Sequence, residues 1–214
     1  MVKQTQLALS DAAEWLGDWH PLAEQLGSAD GLVTLGSVSA ALRLVPVHDL
    51  RSLRHFLRNY QSRILLPVEL PAIHCAHGHA VRHEVRELVA LDQSLADQPI
   101  LSELAAASRR VGQSQLRKLR PLRDERVIQR YLHAVESGGA HGWHTLVYGL
   151  TLAVYSLPLR QGLLGYAQQT TRGFIYSAAR MLHLSERQCR ALFDSLCAGL
   201  PEAVEALVMQ KAAA

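Results

Sequence analysis

The stretch 157–190, LPLRQGLLGYAQQTTRGFIYSAARMLHLSERQCR, decides the fold, because a long apolar and aromatic helical stripe runs into an abrupt stop and a restart. Leu159, Leu163, Tyr166, Thr170, Phe174, Ser177 and Met181 recur at steps of three and four. That spacing is one face of a helix about six turns long. Pro158 suits its start, since a proline in the first turn gives up only an N–H that has no intrahelical partner. Ser185 with Gln188 has the spacing of a capping box, in which the serine accepts from an orphan N–H and the glutamine reaches back. A second helix is therefore predicted from Glu186.

Outward from this pair, nearly every segment has helical rather than alternating periodicity. Asp11 with Glu14 marks one helix start and Asp49 caps another, whose Leu50, Leu53, Leu57 and Tyr60 form a buried stripe with Arg51, Arg54 and Arg58 outside. Further helices are predicted at 69–80, 83–95, 100–119, 123–135, 143–155 and 201–209. Residues 31–38 could pass for a strand, and 65–71 and 137–142 read as short loops. The expected class is all-α: a single compact domain of about ten helices over residues 1–214. With 49% apolar residues and no long linker, a chain of this length can bury one substantial core.

Residues 137–159 carry no charge, which invites a membrane span, yet they include two histidines, two threonines and four glycines. A wholly buried core helix or a subunit interface is the better expectation, with no membrane partner. Cys75, Cys189 and Cys197 form an odd, scattered set that suits a reducing compartment. Residues 1–15 lack the apolar run of a signal peptide, which predicts a cytoplasmic protein.

The net charge of +3 is mild, but Arg109, Arg110, Arg117, Lys118, Arg120, Arg123, Arg126 and Arg130 gather in one region. Asp124 and Glu125 interrupt the run and no aromatics interleave it. A solvated face or an acidic-protein docking surface is expected rather than a nucleic-acid site.

The sharpest local chemistry is His74-Cys75-Ala76-His77-Gly78-His79 followed by His83. On a helix His79 and His83 would share a face at i, i+4, so His77, His79 and His83 could make a transient contact with nickel or zinc. The alternative is an exposed, histidine-rich helix end without metal. His83-Glu84 lacks the second histidine that a zinc-protease helix needs. GxxxxGK[ST], GxGxxG after a strand and GxSxG are all missing, so no catalytic residue is assigned and no resident cofactor is expected.

The opening stretch resembles the urease accessory protein F (UreF) family, whose C-terminal half has a pattern close to LPLxxALLAYLxxxxSNLVSAAVRLxPLGQTxxQ. Leu157, Pro158, Leu159, Leu163, Leu164, Tyr166, Ala178, Arg180 and Leu184 match it without a gap. His183, Ser185 and Glu186 stand where that pattern has proline, glycine and glutamine, and Arg172-Gly173 replaces its Ser-Asn pair. Upstream, Asp49 to Leu53 with Phe56-Leu57, then Glu69-Leu70-Pro71, Leu91-Asp92, Glu103-Leu104, Ser108-Arg109, Gly112, Leu116, His144 and Val147 to Gly149 extend the likeness over 49–208. The family's N-terminal P-x-G-x-(F/Y)-x-x-S-x-G-L-E signature is largely missing: Leu26, Ala29 and Val33 replace its aromatic, serine and glutamate around Gly31-Leu32. The chain is thus similar to a divergent member.

The resemblance implies a non-enzymatic, all-helical homodimer. It would bridge a second accessory protein (UreD, also called UreH) and the GTPase UreG, and so help deliver nickel to apo-urease. It places partner contacts at Arg180, Tyr166, His183, Ser185 and Glu186. Arg180 also suits a simpler role as a cation at a helix C-terminus, and Tyr166 with Phe174 suits core or dimer packing. Two other functions stand beside this one: an interaction module of the same family that no longer serves urease, and a helical nucleic-acid binder.

Overall fold

The computed structural model describes residues 39–40 and 42–212. Its α-helices are α1 (Leu50–Tyr60), α2 (Leu70–Val81), α3 (Val85–Ala96), α4 (Ser102–Lys118), α5 (Arg126–Glu136), α6 (His144–Val154), α7 (Leu159–Leu182), α8 (Glu186–Cys197) and α9 (Leu200–Ala212). A π-helical stretch, Gln61–Glu69, joins α1 to α2, and a 3-10 turn, Pro99–Leu101, precedes α4. No strand occurs among the described residues, so the all-α expectation holds there. The figure of about ten helices belongs to the whole chain; the helix expected at Asp11 and the strand-like run 31–38 lie outside the described residues.

Local chemistry explains the boundaries. Asp49 caps α1 by accepting from Ser52 N–H at 2.7 Å, while Ser52 Oγ takes the Asp49 N–H at 3.0 Å. Leu53, Phe56, Leu57 and Tyr60 then face inward, and the three arginines of α1 face out. Residues 65–71, expected as a short loop running into a helix from 69, are helical throughout. Pro67 has no N–H to give. The backbone widens around it into i to i−5 bonding, shown by the Leu70 N–H reaching Leu65 O. Pro71 sits in the first turn of α2, where its missing donor costs nothing.

At the centre lies α6, buried at every position from 144 to 152. The uncharged run is therefore a core helix, and no described helix is long and apolar enough to cross a membrane. The helix packs mainly on α2 and α4, and α7 runs across α1, α2, α8 and α9. Gly149 lets α2 and α6 approach: a Cβ there would stand 2.5 Å from Ile73 O and 3.0 Å from Ala76 Cβ. Since the first obstacle is backbone, Gly149→Ala is expected to cost about 1–3 kcal/mol, read as a lower urea midpoint with an unchanged slope. Phe174 closes the other side, its ring edge-on to Phe56 at 5.4 Å and to Tyr60 at 4.8 Å.

Candidate functional site

The stop and restart between α7 and α8 is the exposed feature that the helix pattern anticipates. The stripe along α7 is buried at Leu163, Tyr166, Thr170 and Phe174, and partly buried at Leu159. It surfaces at Met181, which is 58% exposed, while Ala178 stays buried and Leu182 packs against the core, so the covered face turns away from this stripe toward the helix end. On that part Tyr176 is also exposed, with the Arg172 guanidinium 5.4 Å from its ring centroid. His183 ends the helix in the left-handed conformation (φ 50°, ψ 42°), and the N–H groups of His183 and Leu184 both close on Ala179 O. Ser185 then caps α8 as its spacing indicates: its N–H donates to Gln188 Oε1 at 2.9 Å and its Oγ accepts the Gln188 N–H at 3.4 Å.

His183, Ser185 and Glu186 are all exposed here, Glu186 paired with Arg190 at 3.0 Å. Arg180 lies in the last turn of α7, its side chain outside the described residues. Tyr166 requires correction as a contact residue: it is fully enclosed, so no partner can touch its ring on this fold. A left-handed residue with a Cβ is strained, and glycine relieves that strain. His183→Gly is accordingly expected to raise stability by about 1 kcal/mol, visible as a higher melting temperature.

The histidine cluster divides between two elements. Helix α2 closes in a Schellman turn, with His83 N–H on Ala80 O at 3.1 Å and Glu84 N–H on His79 O at 2.8 Å. His83 occupies the left-handed position of that turn (φ 56°), beyond the helix end. It therefore does not share a helical face with His79. Glu84 Oε2 takes both His79 Nδ1 and Arg82 Nη2 at 2.8 Å, and Arg82 first and His79 second hold the Glu84 carboxyl down at about 2. His77 is half-buried, and burial, then the nearby His74, lowers its pKa. Among the described residues no group of three or more His, Cys, Asp or Glu is arranged to hold a metal ion.

Two buried polar networks escaped the pattern reading. The first runs across five elements. Ser108 Oγ lies 2.6 Å from His144 Nδ1, His144 Nε2 2.5 Å from the Tyr166 hydroxyl, and Tyr60 donates to Glu69 Oε2 at 2.8 Å. Tyr166 also donates to Glu69. One direction satisfies every bond when Glu69 is ionised: Ser108 donates to His144, His144 to Tyr166, and both tyrosines to the carboxylate. Burial nevertheless pushes Glu69 up to about 7, against the pull of its two tyrosines, and holds His144 down at about 3.

The Ser108–His144 distance is that of a nucleophile and its base. The cavity beside it, walled by Glu69, Trp143, His144, Ala72 and Leu104, holds about 10 Å³. That is room for one water and for no organic substrate.

The second network is centred on Asp92, which has no exposed surface. Its carboxylate accepts from the Tyr131 hydroxyl at 2.6 Å and from the N–H groups of His141 at 2.5 Å and Gly142 at 2.9 Å. Its carbonyl takes Trp143 Nε1 at 3.0 Å. Asp92 thereby fixes the loop that launches α6. The signal available in the sequence was a lone acid in an otherwise apolar helical stripe, Leu88, Asp92 and Leu95.

The described residues form an all-helical body whose largely apolar core is crossed by two buried polar networks, with an exposed junction between α7 and α8. The UreF family model matches residues 47–197, and the chain belongs to the UreF family. Its membership assigns it a role as an accessory protein of urease. No curated protein matches the chain.

Several positions that carry the likeness are interior ones. Glu69, Asp92, Ser108, His144 and Tyr166 are the buried polar residues just described. Gly112 and Gly149 are close approaches where a Cβ would strike backbone.

Proposed function

We propose that this chain is a urease accessory protein of the nickel-delivery complex, bridging UreD (UreH) and the GTPase UreG so that nickel reaches apo-urease. The family match over residues 47–197 is the observation that carries this function. The exposed junction formed by His183, Ser185 and Glu186, with Arg180 in the adjoining turn of α7, supports a protein contact there. In this proposal the chain, one domain over residues 1–214, acts as a cytoplasmic homodimer, uses no resident cofactor and performs no bond chemistry. Nickel meets at most a passing contact at His77, His79 and His83. GTP chemistry comes from the partner. A bridging protein influences a GTPase only by binding one of its states more tightly than the other. UreG loaded with GTP and nickel should therefore bind the chain together with UreD (UreH) more tightly than UreG with GDP. A calorimetric titration giving equal affinities would count against this function.

The His183, Ser185 and Glu186 departures favour a second function, an interaction module of this family released from urease work. Co-purification separates the two: recovery of UreD (UreH) and UreG with the tagged chain supports the first, and failure to retain either supports the second.

A further inference from the structure

Basic side chains gather on a face built from α4, the turn after it and the start of α5. Exposed Arg110, Ser114 and Arg117 stand at steps of four and three on α4, and Arg126, Arg130 and His133 repeat that spacing on α5. The two helices pack against each other, and exposed Lys118, Arg120 and Arg123 lie at the end of α4 and on the turn that joins them. Between 110 and 136 stand seven Arg or Lys and three carboxylates, whereas the whole chain carries a net charge of only +3. The positive charge of this protein is concentrated on this belt.

Little inside the fold neutralises it. Arg120 pairs with Glu136, but Arg110, Arg117, Arg123, Arg126 and Arg130 have no ion pair among the described residues. Crowded like charges repel, and an anionic partner relieves that repulsion while being steered toward it. Six of the seven cations are arginines, whose planar fork holds a carboxylate through two parallel bonds. A nucleic acid suits the belt less well. No exposed aromatic stands among the arginines for bases to stack on, and Asp124 and Glu125 interrupt the track a phosphate backbone would follow.

We propose that this belt is a docking surface for an acidic segment of another protein, its Glu and Asp side chains held by Arg110, Arg117, Arg126 and Arg130. The surface is defined by charge alone and stands whether or not the client is urease. The test uses the full-length chain and fluorescein-labelled oligoglutamate, with a DNA duplex as competitor class. A triple variant, Arg117→Gln, Arg126→Gln and Arg130→Gln, is compared with a control on α1, Arg51→Gln, Arg54→Gln and Arg58→Gln, which removes the same charge from another exposed face. Circular dichroism confirms that both variants fold. The expected result is salt-sensitive binding of oligoglutamate that weakens about tenfold or more in the belt variant and less than about twofold in the control. Equal weakening in both variants, or no binding of oligoglutamate at low salt, overturns the proposal. So does a duplex that binds the belt more tightly than oligoglutamate, which would make the surface a nucleic-acid site.

Discussion

Asp92→Ala is expected to lower the unfolding free energy by about 3–5 kcal/mol, a large share of what holds a domain of this size together. The Tyr131 hydroxyl and the N–H groups of His141 and Gly142 all end on that carboxylate, and each buried donor left without an acceptor costs about 1–3 kcal/mol. These costs do not simply add, because the loop can move to reach water. Relaxation there carries its own penalty, since the loop fixes the first turn of the helix at the centre of the core. Asp92→Asn should fall between the two, keeping one acceptor oxygen and turning an NH₂ group toward existing donors. Urea unfolding of the three proteins measures the order, and an Ala variant within about 1 kcal/mol of the parent would remove the clamp from this description.

The second large effect concerns pH. The Glu69 carboxyl is raised from the ordinary 4.5 to about 7 in the folded chain, so between those values the folded state holds a proton that the unfolded state has released. Its contribution to stability is complete below about 4.5 and is lost as pH climbs through about 7. An interval of that width corresponds to about 3 kcal/mol. His144 acts in the opposite sense: its pKa falls to about 3, so its neutral burial is stabilising above the ordinary histidine value and is lost as pH falls toward about 3. Glu69→Gln keeps the shape and removes the titration. The parent should therefore lose stability relative to this variant as pH rises across that interval. Parallel curves for the two proteins from acid to mildly alkaline pH would show that Glu69 does not titrate there.

These two networks also mark the limit of what a linear pattern reveals. Periodicity located α1, α6, α7 and α8, because a helix writes its buried face into the next four residues of its own sequence. Asp49 and Ser185 were legible as caps for the same reason: their partners lie three positions away. Ser108 and His144 are 36 residues apart, and Asp92 lies about 50 from the loop it holds, so nothing local pairs them. The stretch around Pro67 was misjudged because prolines ordinarily break helices, and the π-helical widening that tolerates one leaves no mark in composition. The break between α2 and α3 falls where the expected helices 69–80 and 83–95 part, but its left-handed turn at His83 leaves no mark, since histidine stands where glycine is usual.

The surface was less legible than the interior. Tyr166 sits on the same stripe as Met181, yet one is enclosed and the other open, because the covered face drifts off that stripe by the end of α7, where Ala178 and Leu182 meet the core instead. Helical spacing tells which residues share a face, and only the packed array tells where that face stops being covered.

The most direct measurement is the nickel content of urease purified from source cells that lack this chain, with and without a plasmid restoring it. A protein that completes the nickel-delivery complex leaves urease assembled but nickel-poor in its absence, and the restored gene returns the metal. Urease that is fully loaded with nickel in cells lacking the chain, at ordinary nickel supply, would contradict a role in its maturation.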